Sequence, residues 1–324
     1  MVQKIAIKLL LNALDFGASD IYILPTEGTF SISLRHSASR KHYAVFSESI
    51  GQSLISHFKF IAGMNVGEKR RTQLGSCSYV IAAQTLRIRL STVGDFQNRE
   101  SLVLRLLPKS DAPLLFWDET DLTDVLSLVD RRGLYLFSGP VGSGKTTLMN
   151  HIAKEKFFER QVITIEDPVE LVSPEFLQLQ LNEAIGNTYD HLIKLSLRHM
   201  PDLVIVGEIR DQETARAVIR ASLTGYTVFS TVHARSISGV YARLIELGID
   251  SSELTNALSA IVYQRLIGGK GILTYADKNF LNHTTQTWHN KIEGLVKSGD
   301  ISSDMASSEK NTHQTTSQTD DFDA

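Results

Sequence analysis

The stretch GPVGSGKTT, Gly139 to Thr147, has the spacing G-x-x-x-x-G-K-[ST] and lies between an apolar strand pattern, GLYLFS, and a helical run, TTLMNHIAKEKFF. A loop of this kind holds phosphate. Its glycines let the backbone wrap closely enough to aim several N–H groups at one anion, and the start of the following helix adds partial positive charge. The candidate nucleotide contacts are therefore Gly139, Pro140, Val141, Gly142, Ser143, Gly144, Lys145, Thr146 and Thr147. Lys145 would reach the β- and γ-phosphates, and the Thr146 hydroxyl would ligate Mg2+. A Gly-rich connection with a chance Lys-Thr would not account for the strand before it and the helix after it.

Hydrolysis of a bound nucleotide also needs an acid near the metal and a group that orients the attacking water. LVIVGEIRD, residues 203–211, ends an apolar strand at Gly207-Glu208, which makes Glu208 the metal-side carboxylate. Asp211 instead reads as the N-cap of DQETARAVIRASLTG, a helix that closes at Gly225. TIEDPVE, residues 164–170, crowds Glu166, Asp167 and Glu170 around Pro168, just beyond Val162, Ile163 and Ile165. Taken alone, such a cluster is a solvated loop. If VITIED runs parallel and adjacent to the phosphate-loop strand, however, it emerges on the same sheet edge, where open α/β folds bind ligands. Glu170 could then orient a water, while Glu166 and Asp167 serve either the turn or the metal shell. STVH ends a fourth strand and brings His233 to that edge as well.

These groups need a frame. GLYLFSG, QVITIED, DLVIVGE and TVFSTVH alternate with helical patterns, and several are apolar on both faces, which predicts a parallel sheet covered by helices over residues 114–298. Residues 1–107 read differently. A helical stripe of Ile5, Leu9 and Leu10 ends at Gly17, DIYILP and FSISLR follow as strands, and Ile50, Leu54, Phe58 and Ile61 recur at helical spacing. With SYVIAA, LRIRLST and SLVLRLL as further strands, this predicts a small α+β domain with a mostly antiparallel sheet. PKSDAP, residues 108–113, is the expected linker. Trp288, Ile292 and Leu295 predict a last short helix, and residues 299–324, nearly devoid of aliphatic side chains, are expected to be disordered.

Composition excludes several functions. The chain of 324 residues is 42% hydrophobic and 21% charged, with a formal net charge of −3, so no global field draws it to nucleic acid or anionic lipid. Direct DNA binding is not expected. Lys69-Arg70-Arg71 is a local basic patch. The single cysteine, Cys77, excludes an intrachain disulfide and a cysteine-based zinc site. Lys8 and Asn12 interrupt the apolar N-terminus, which reads as an amphipathic helix, and no window reaches the roughly 18 apolar residues of a membrane span.

The order GPVGSGKTT, TIEDPVE, RHMPDLVIVGEIRD, STVHARS resembles the secretion and type IV pilus motor ATPases, whose Walker A, Asp box, Walker B and His box these would be. GASDIYILP and FIAGMNVGEKRRTQLGS resemble the PAS-like domain of that family. The resemblance implies a RecA-like phosphate-loop ATPase domain preceded by a small α+β PAS-like domain. It further implies an ATPase that uses ATP and Mg2+ and works as a homo-hexamer. Such a ring powers pilin polymerisation by turning a polytopic membrane platform protein, from the cytoplasm at the inner face of the cell membrane. By resemblance Glu170 is the catalytic glutamate, Glu208 the Walker B glutamate and His233 the second histidine of the His box, with Tyr226 in place of the first. RIRLSTVGDFQNRESLVLRLL resembles the segment whose arginines contact the nucleotide, here Arg89 and Arg105; on the residues alone, Arg87 and Arg89 simply share one face of an exposed strand. Starting at the PAS-like domain with one cysteine, the chain is most similar to the compact competence-pilus assembly ATPases, which drive DNA-uptake pili. Pilus retraction, type II secretion, or a nucleotide-gated scaffold with incidental turnover are the alternatives.

Overall fold

The structure is a computed structural model. It describes residues 2–36, 39–81, 84–107, 114–182 and 185–311. The chain divides into two compact units, Met1–Lys109 and Ser110–Ala324, and the linker expected at 108–113 lies outside the described residues.

The first unit runs α1 (Val2–Asp15), β1 (Asp20–Thr26), β2 (Thr29–His36), β3 (Ser39–Ser47), α2 (Glu48–Ile61), β4 (Gln73–Ile81), β5 (Gln84–Gly94) and β6 (Glu100–Leu106). Its strands form one antiparallel sheet in the order β3-β2-β1-β6-β5-β4. Strand alternation turns Ile21, Ile23, Ile32, Ile88, Leu90, Leu102 and Leu104 to one face, and Leu9, Leu10, Leu54 and Phe58 of the two helices complete that core. β3 has no counterpart in the expected strands. Its residues are mostly exposed, so backbone pairing to β2 holds it rather than an apolar pattern.

The second unit runs α3 (Thr120–Leu128), β7 (Gly133–Ser138), α4 (Lys145–Lys156), β8 (Val162–Glu166), β9 (Leu177–Gln180), α5 (Tyr189–Leu197), β10 (Leu203–Val206), α6 (Gln212–Leu223), β11 (Thr227–Val232), α7 (Ile237–Glu246), α8 (Ser251–Ala257), β12 (Leu258–Ile267), β13 (Lys270–Ala276), α9 (Gln286–Lys297) and α10 (Ser303–Asn311). Seven strands are ordered β13-β12-β7-β11-β10-β8-β9, all parallel except the β12-β13 hairpin. Because side chains alternate along a strand, the sheet feeds two cores. Leu134, Leu136, Val204, Val206 and Val228 face one, and Tyr135, Phe137, Leu203, Ile205 and Phe229 face the other.

The four expected strands are present, but one expected neighbour is not. β8 is separated from β7 by β11 and β10, so VITIED does not run adjacent to the phosphate-loop strand. The partner of β7 on its other side is β12, whose run LSAIVYQRLI was not among the expected strands. The expectation of disorder from residue 299 onward is also corrected for the described part. α10 packs beside α9, burying Ile301 and Ala306, and ion pairs join Arg265 to Glu309 and Glu293 to Lys310. Two well-placed apolar side chains and two ion pairs dock a segment whose composition alone is polar. Residues 312–324 lie outside the described residues.

Candidate functional site

The loop after β7 is shaped by glycines pressed against β12. Gly139 has φ +142°, and a Cβ there would lie 2.2 Å from the Gln264 carbonyl oxygen and 2.8 Å from Ser143 Oγ. Gly144 has φ +87° and would place a Cβ 2.9 Å from Gln264 Nε2. Only residues without a side chain let this backbone curl so tightly before α4 begins at Lys145. Ser143 Oγ and Gln264 Oε1 are both buried without a hydrogen-bond partner. Lys145 is 7% exposed and donates through Nζ to the Gly139 and Pro140 carbonyls, each at 2.9 Å. Burial pulls its ammonium below the usual lysine range, opposed by the charges of Glu208 and then Glu170.

β10 and β11 are parallel neighbours, with Val206 opposite Ser230. Thr231 Oγ1 donates to the Gly207 carbonyl at 2.8 Å and Ile209 N to the Thr231 carbonyl at 2.9 Å, so the two strand ends leave the sheet together. Glu208 and His233 meet there. His233 Nε2 is 3.6 Å from Glu208 Oε2, and the other Glu208 oxygen pairs with Arg210. Burial, and then the positive charge of Lys145, hold the His233 imidazole below its ordinary value; Glu208 and a hydrogen bond to the Gly139 backbone oppose them. Lys145, Glu208 and His233 thus act on one another at the C-terminal edge of three neighbouring strands, the edge at which open α/β sheets bind ligands.

The carboxylates of TIEDPVE divide. Glu166 is buried and accepts hydrogen bonds from Thr164 Oγ1 at 2.7 Å, Gln178 Nε2 at 3.2 Å and Glu170 N at 3.4 Å. It holds the turn and is spent there, and burial raises its carboxyl above the usual range. Gln178 also ties the segment to Leu171 and Ser173, and Ser173 accepts from Asn150 of α4. This stitching leaves Glu170 close enough for its charge to act on Lys145, although β8 itself is three places along the sheet from β7. Asp167 is exposed and contributes to the negative field around Tyr189 and Arg210.

Tyr226 does not belong to this edge. It precedes β11, at the opposite end of the sheet, where its hydroxyl donates to the Leu197 carbonyl at 3.1 Å. The six residues of β11 separate it from His233, about 20 Å along an extended chain. There it lines a cavity of about 670 Å³ together with Arg131, Arg132, Lys156 and Arg160. These cations stand where α4, α5 and α6 end, and they offset the partial negative charge of three helix C-termini.

Asp211 caps α6, accepting from Thr214 N at 2.8 Å, as expected. Arg89 and Arg105 are in the first unit, as direct cross-strand partners on β5 and β6. Arg105 Nε donates to buried Asp20 at 2.8 Å.

Sequence reasoning missed two residues. Gln264 supports both strained glycines, and its signal is a polar residue inside the apolar run of β12. Tyr189, at the start of α5, buries a hydroxyl without a partner, 3.1 Å from where a Gly207 Cβ would stand. Burial pushes its phenol up, followed by the charges of Glu208 and Asp167, so it remains protonated. Nothing in its local sequence marks it.

Residues 1–294 match the family described as Type II/IV secretion system protein. The chain belongs to that family. Among its curated members, the competence protein ComGA of Streptococcus pneumoniae (strain ATCC BAA-255 / R6) is 52% identical over 310 residues, covering 96% of this chain and 99% of that protein. The competence protein ComGA of Bacillus subtilis (strain 168) is 38% identical, covering 82% of this chain and 76% of that protein. The solved structure of the pilus retraction motor PilT with bound ADP is similar at a TM-score of 0.73 and 25% identity, over 94% of this chain and 96% of that one. The four motifs therefore point to the right family, and the second unit has its RecA-like architecture. Among the described residues no helix is long and apolar enough to cross a membrane.

Proposed function

We propose that the chain is a Mg2+-dependent ATPase that works as a homo-hexamer and powers assembly of a competence pilus through a polytopic membrane platform protein, from the cytoplasm at the inner face of the membrane. The observation that carries the reaction is the convergence of Lys145, Glu208 and His233 beside a glycine cradle, with Glu170 in the field of Lys145. Identity of 52% over nearly the whole of a competence protein favours this task over pilus retraction or type II secretion.

The residues present fit a nucleoside triphosphate and its metal. Ser143 Oγ is a buried donor without a partner inside the loop, and Gly139, Gly142 and Gly144, all at positive φ, let the backbone curl before α4. Thr146 and Glu208 would hold Mg2+, and among the described residues no cluster of three or more His, Cys, Asp or Glu forms a dedicated cage. Mg2+ commonly keeps several waters and takes substrate phosphates as ligands. When bound, Mg2+ supplies positive charge to the β- and γ-phosphate oxygens.

The protein's own groups would do the rest. Gly139, Pro140, Val141, Gly142, Ser143 and Gly144 present the loop backbone, with Thr147 beside it at the start of α4. Lys145 would trade the Gly139 and Pro140 carbonyls for phosphate oxygens, taking its positive charge to where negative charge builds up. Glu170 would orient the attacking water, and Glu208, between His233 and Arg210, would face the metal. Arg89 and Arg105 would supply charge from the first unit, which we take as PAS-like. Arg105 also holds buried Asp20, so its substitution uncovers a carboxylate as well as removing a charge.

The test is phosphate release with and without Mg2+, alongside nucleotide affinity and DNA uptake by cells carrying each variant. Lys145→Ala should abolish turnover and uptake. Glu170→Gln should bind ATP normally and lose turnover, whereas Glu208→Gln should also shift the Mg2+ dependence. Wild-type turnover in Lys145→Ala overturns the reaction; normal DNA uptake by that variant, with turnover lost, overturns the task.

A further inference from the structure

Lys59 of α2 is fully buried, and its Nζ is 2.5 Å from Glu100 of β6, which is 8% exposed. The same nitrogen donates to the Glu68 carbonyl at 2.5 Å. That pair anchors the loop of residues 65–71. The Glu68 carboxylate accepts from Arg70 N at 2.7 Å and Arg71 N at 3.1 Å, which holds it below the usual carboxylate range. Gln73 accepts from Asn65 N and donates to the Glu68 carbonyl, and Asn65 Oδ1 accepts from Gly67 N. The β5–β6 turn is joined to this loop by backbone contact: a Cβ on Gly94 would lie 2.8 Å from the Lys69 carbonyl oxygen and 2.9 Å from Arg70 Cα. Asp95 in that turn is committed to Arg99 and to the N–H groups of Gln97 and Arg99, so it does not neutralise the neighbouring loop.

The result is a stiff tip with an unusual surface. Lys69, Arg70 and Arg71 are all exposed, and the ion pair from Arg71 to Glu68 is loose, at 3.9 Å with Arg71 88% exposed. Phe96, in the adjoining turn, is 89% exposed. Between the two segments lies an open cleft of about 450 Å³ lined by Gly67, Glu68, Lys69, Arg70 and Asn98. Burying an ion pair costs desolvation. Here the buried pair underlies a tip that holds three cations and a phenyl ring in water. Clustered cations are drawn to anionic leaflets, and aromatic rings settle at the headgroup level. Nucleic acid is the poorer fit, because a single-strand groove needs a basic track with several stacking aromatics.

We propose that this tip docks on an anionic phospholipid surface, with Lys69, Arg70 and Arg71 on headgroup phosphates around the cleft and Phe96 in the interfacial layer. The attraction is local, since the whole chain carries a net charge of −3. The proposal does not rest on the ATPase reading.

The test is co-sedimentation of the full chain, without nucleotide, with vesicles of phosphatidylcholine alone or mixed with phosphatidylglycerol, at low and high salt. Wild type should bind the mixed vesicles at least about tenfold better, and salt should weaken that binding. Lys69→Glu, Arg70→Glu and Arg71→Glu together should remove the preference. Phe96→Ser, which leaves every loop hydrogen bond in place, should weaken binding severalfold while keeping the preference. Unchanged circular dichroism in both variants keeps the comparison fair. Equal binding to both vesicle types by wild type, wild-type binding by the charge-reversed variant, or salt-dependent capture of duplex DNA with no vesicle binding each overturns the proposal. None of these results bears on hydrolysis, which is measured separately in solution.

Discussion

Lys59→Met should loosen the first unit while leaving the second unchanged. The substitution removes a cation with no exposed surface and leaves Glu100, 8% exposed, without its partner. Breaking such a pair from one side costs about 3–5 kcal/mol, because the remaining charge stays buried and uncompensated. With an m-value of roughly 2 kcal/mol/M in urea, that lowers the midpoint of the first unit by about 1.5–2.5 M. The assay separates the units without cutting the chain. Both tryptophans, Trp117 and Trp288, are in the second unit, so their emission reports its unfolding, whereas far-ultraviolet circular dichroism reports both. A new early transition should appear in circular dichroism and be missing from the emission. The double variant Lys59→Met with Glu100→Leu should recover at least half of the loss, since an apolar pair of similar volume avoids the desolvation penalty. The reasoning fails if Lys59→Met shifts the first transition by less than about 1 kcal/mol, or if the double variant is the sum of its singles.

Two further outcomes follow from the second unit. Burial raises the Glu166 carboxyl, so the native state keeps its proton to higher pH than the unfolded chain; the stabilisation is complete below the ordinary glutamate value of 4.5 and is lost as pH rises through the raised native value. Glu166→Gln, still able to accept from Thr164, should therefore be more stable than wild type at neutral and alkaline pH and converge with it in acid, and a urea-midpoint gap independent of pH would contradict this. Removing residues 299–324 should lower the stability read from the tryptophan transition in urea by at most about 3 kcal/mol, because ordering α10 offsets part of the gain from burying Ile301; an unchanged midpoint would mean that α10 does not dock.

Much of the site was legible because its signals are local. The spacing of Gly139, Gly144 and Lys145 marks a tightly curled loop before a helix whatever surrounds it, since glycine freedom and helix-start polarity act within a few residues. Asp211 declares itself as a cap for the same reason, through a hydrogen bond three residues long. The buried strands β7, β8, β10 and β11 showed as apolar runs because a two-sided parallel sheet requires them. Strand order is another matter. Nothing in VITIE states that β11 and β10 stand between it and β7, because order depends on how each crossing helix packs on the sheet, a contact between residues far apart in sequence. The same non-local packing brought Gln264 of β12 against the loop glycines and left Tyr226 a whole strand away from His233. It also fixed Glu166 in its turn, with Thr164 and Gln178 as partners, while Glu170 was left near enough for its charge to act on Lys145. The sequence by itself determined which polar groups the chain carries at its strand ends; only the tertiary structure decided which of those groups share an edge, because that edge is assembled from strand ends separated by tens of residues.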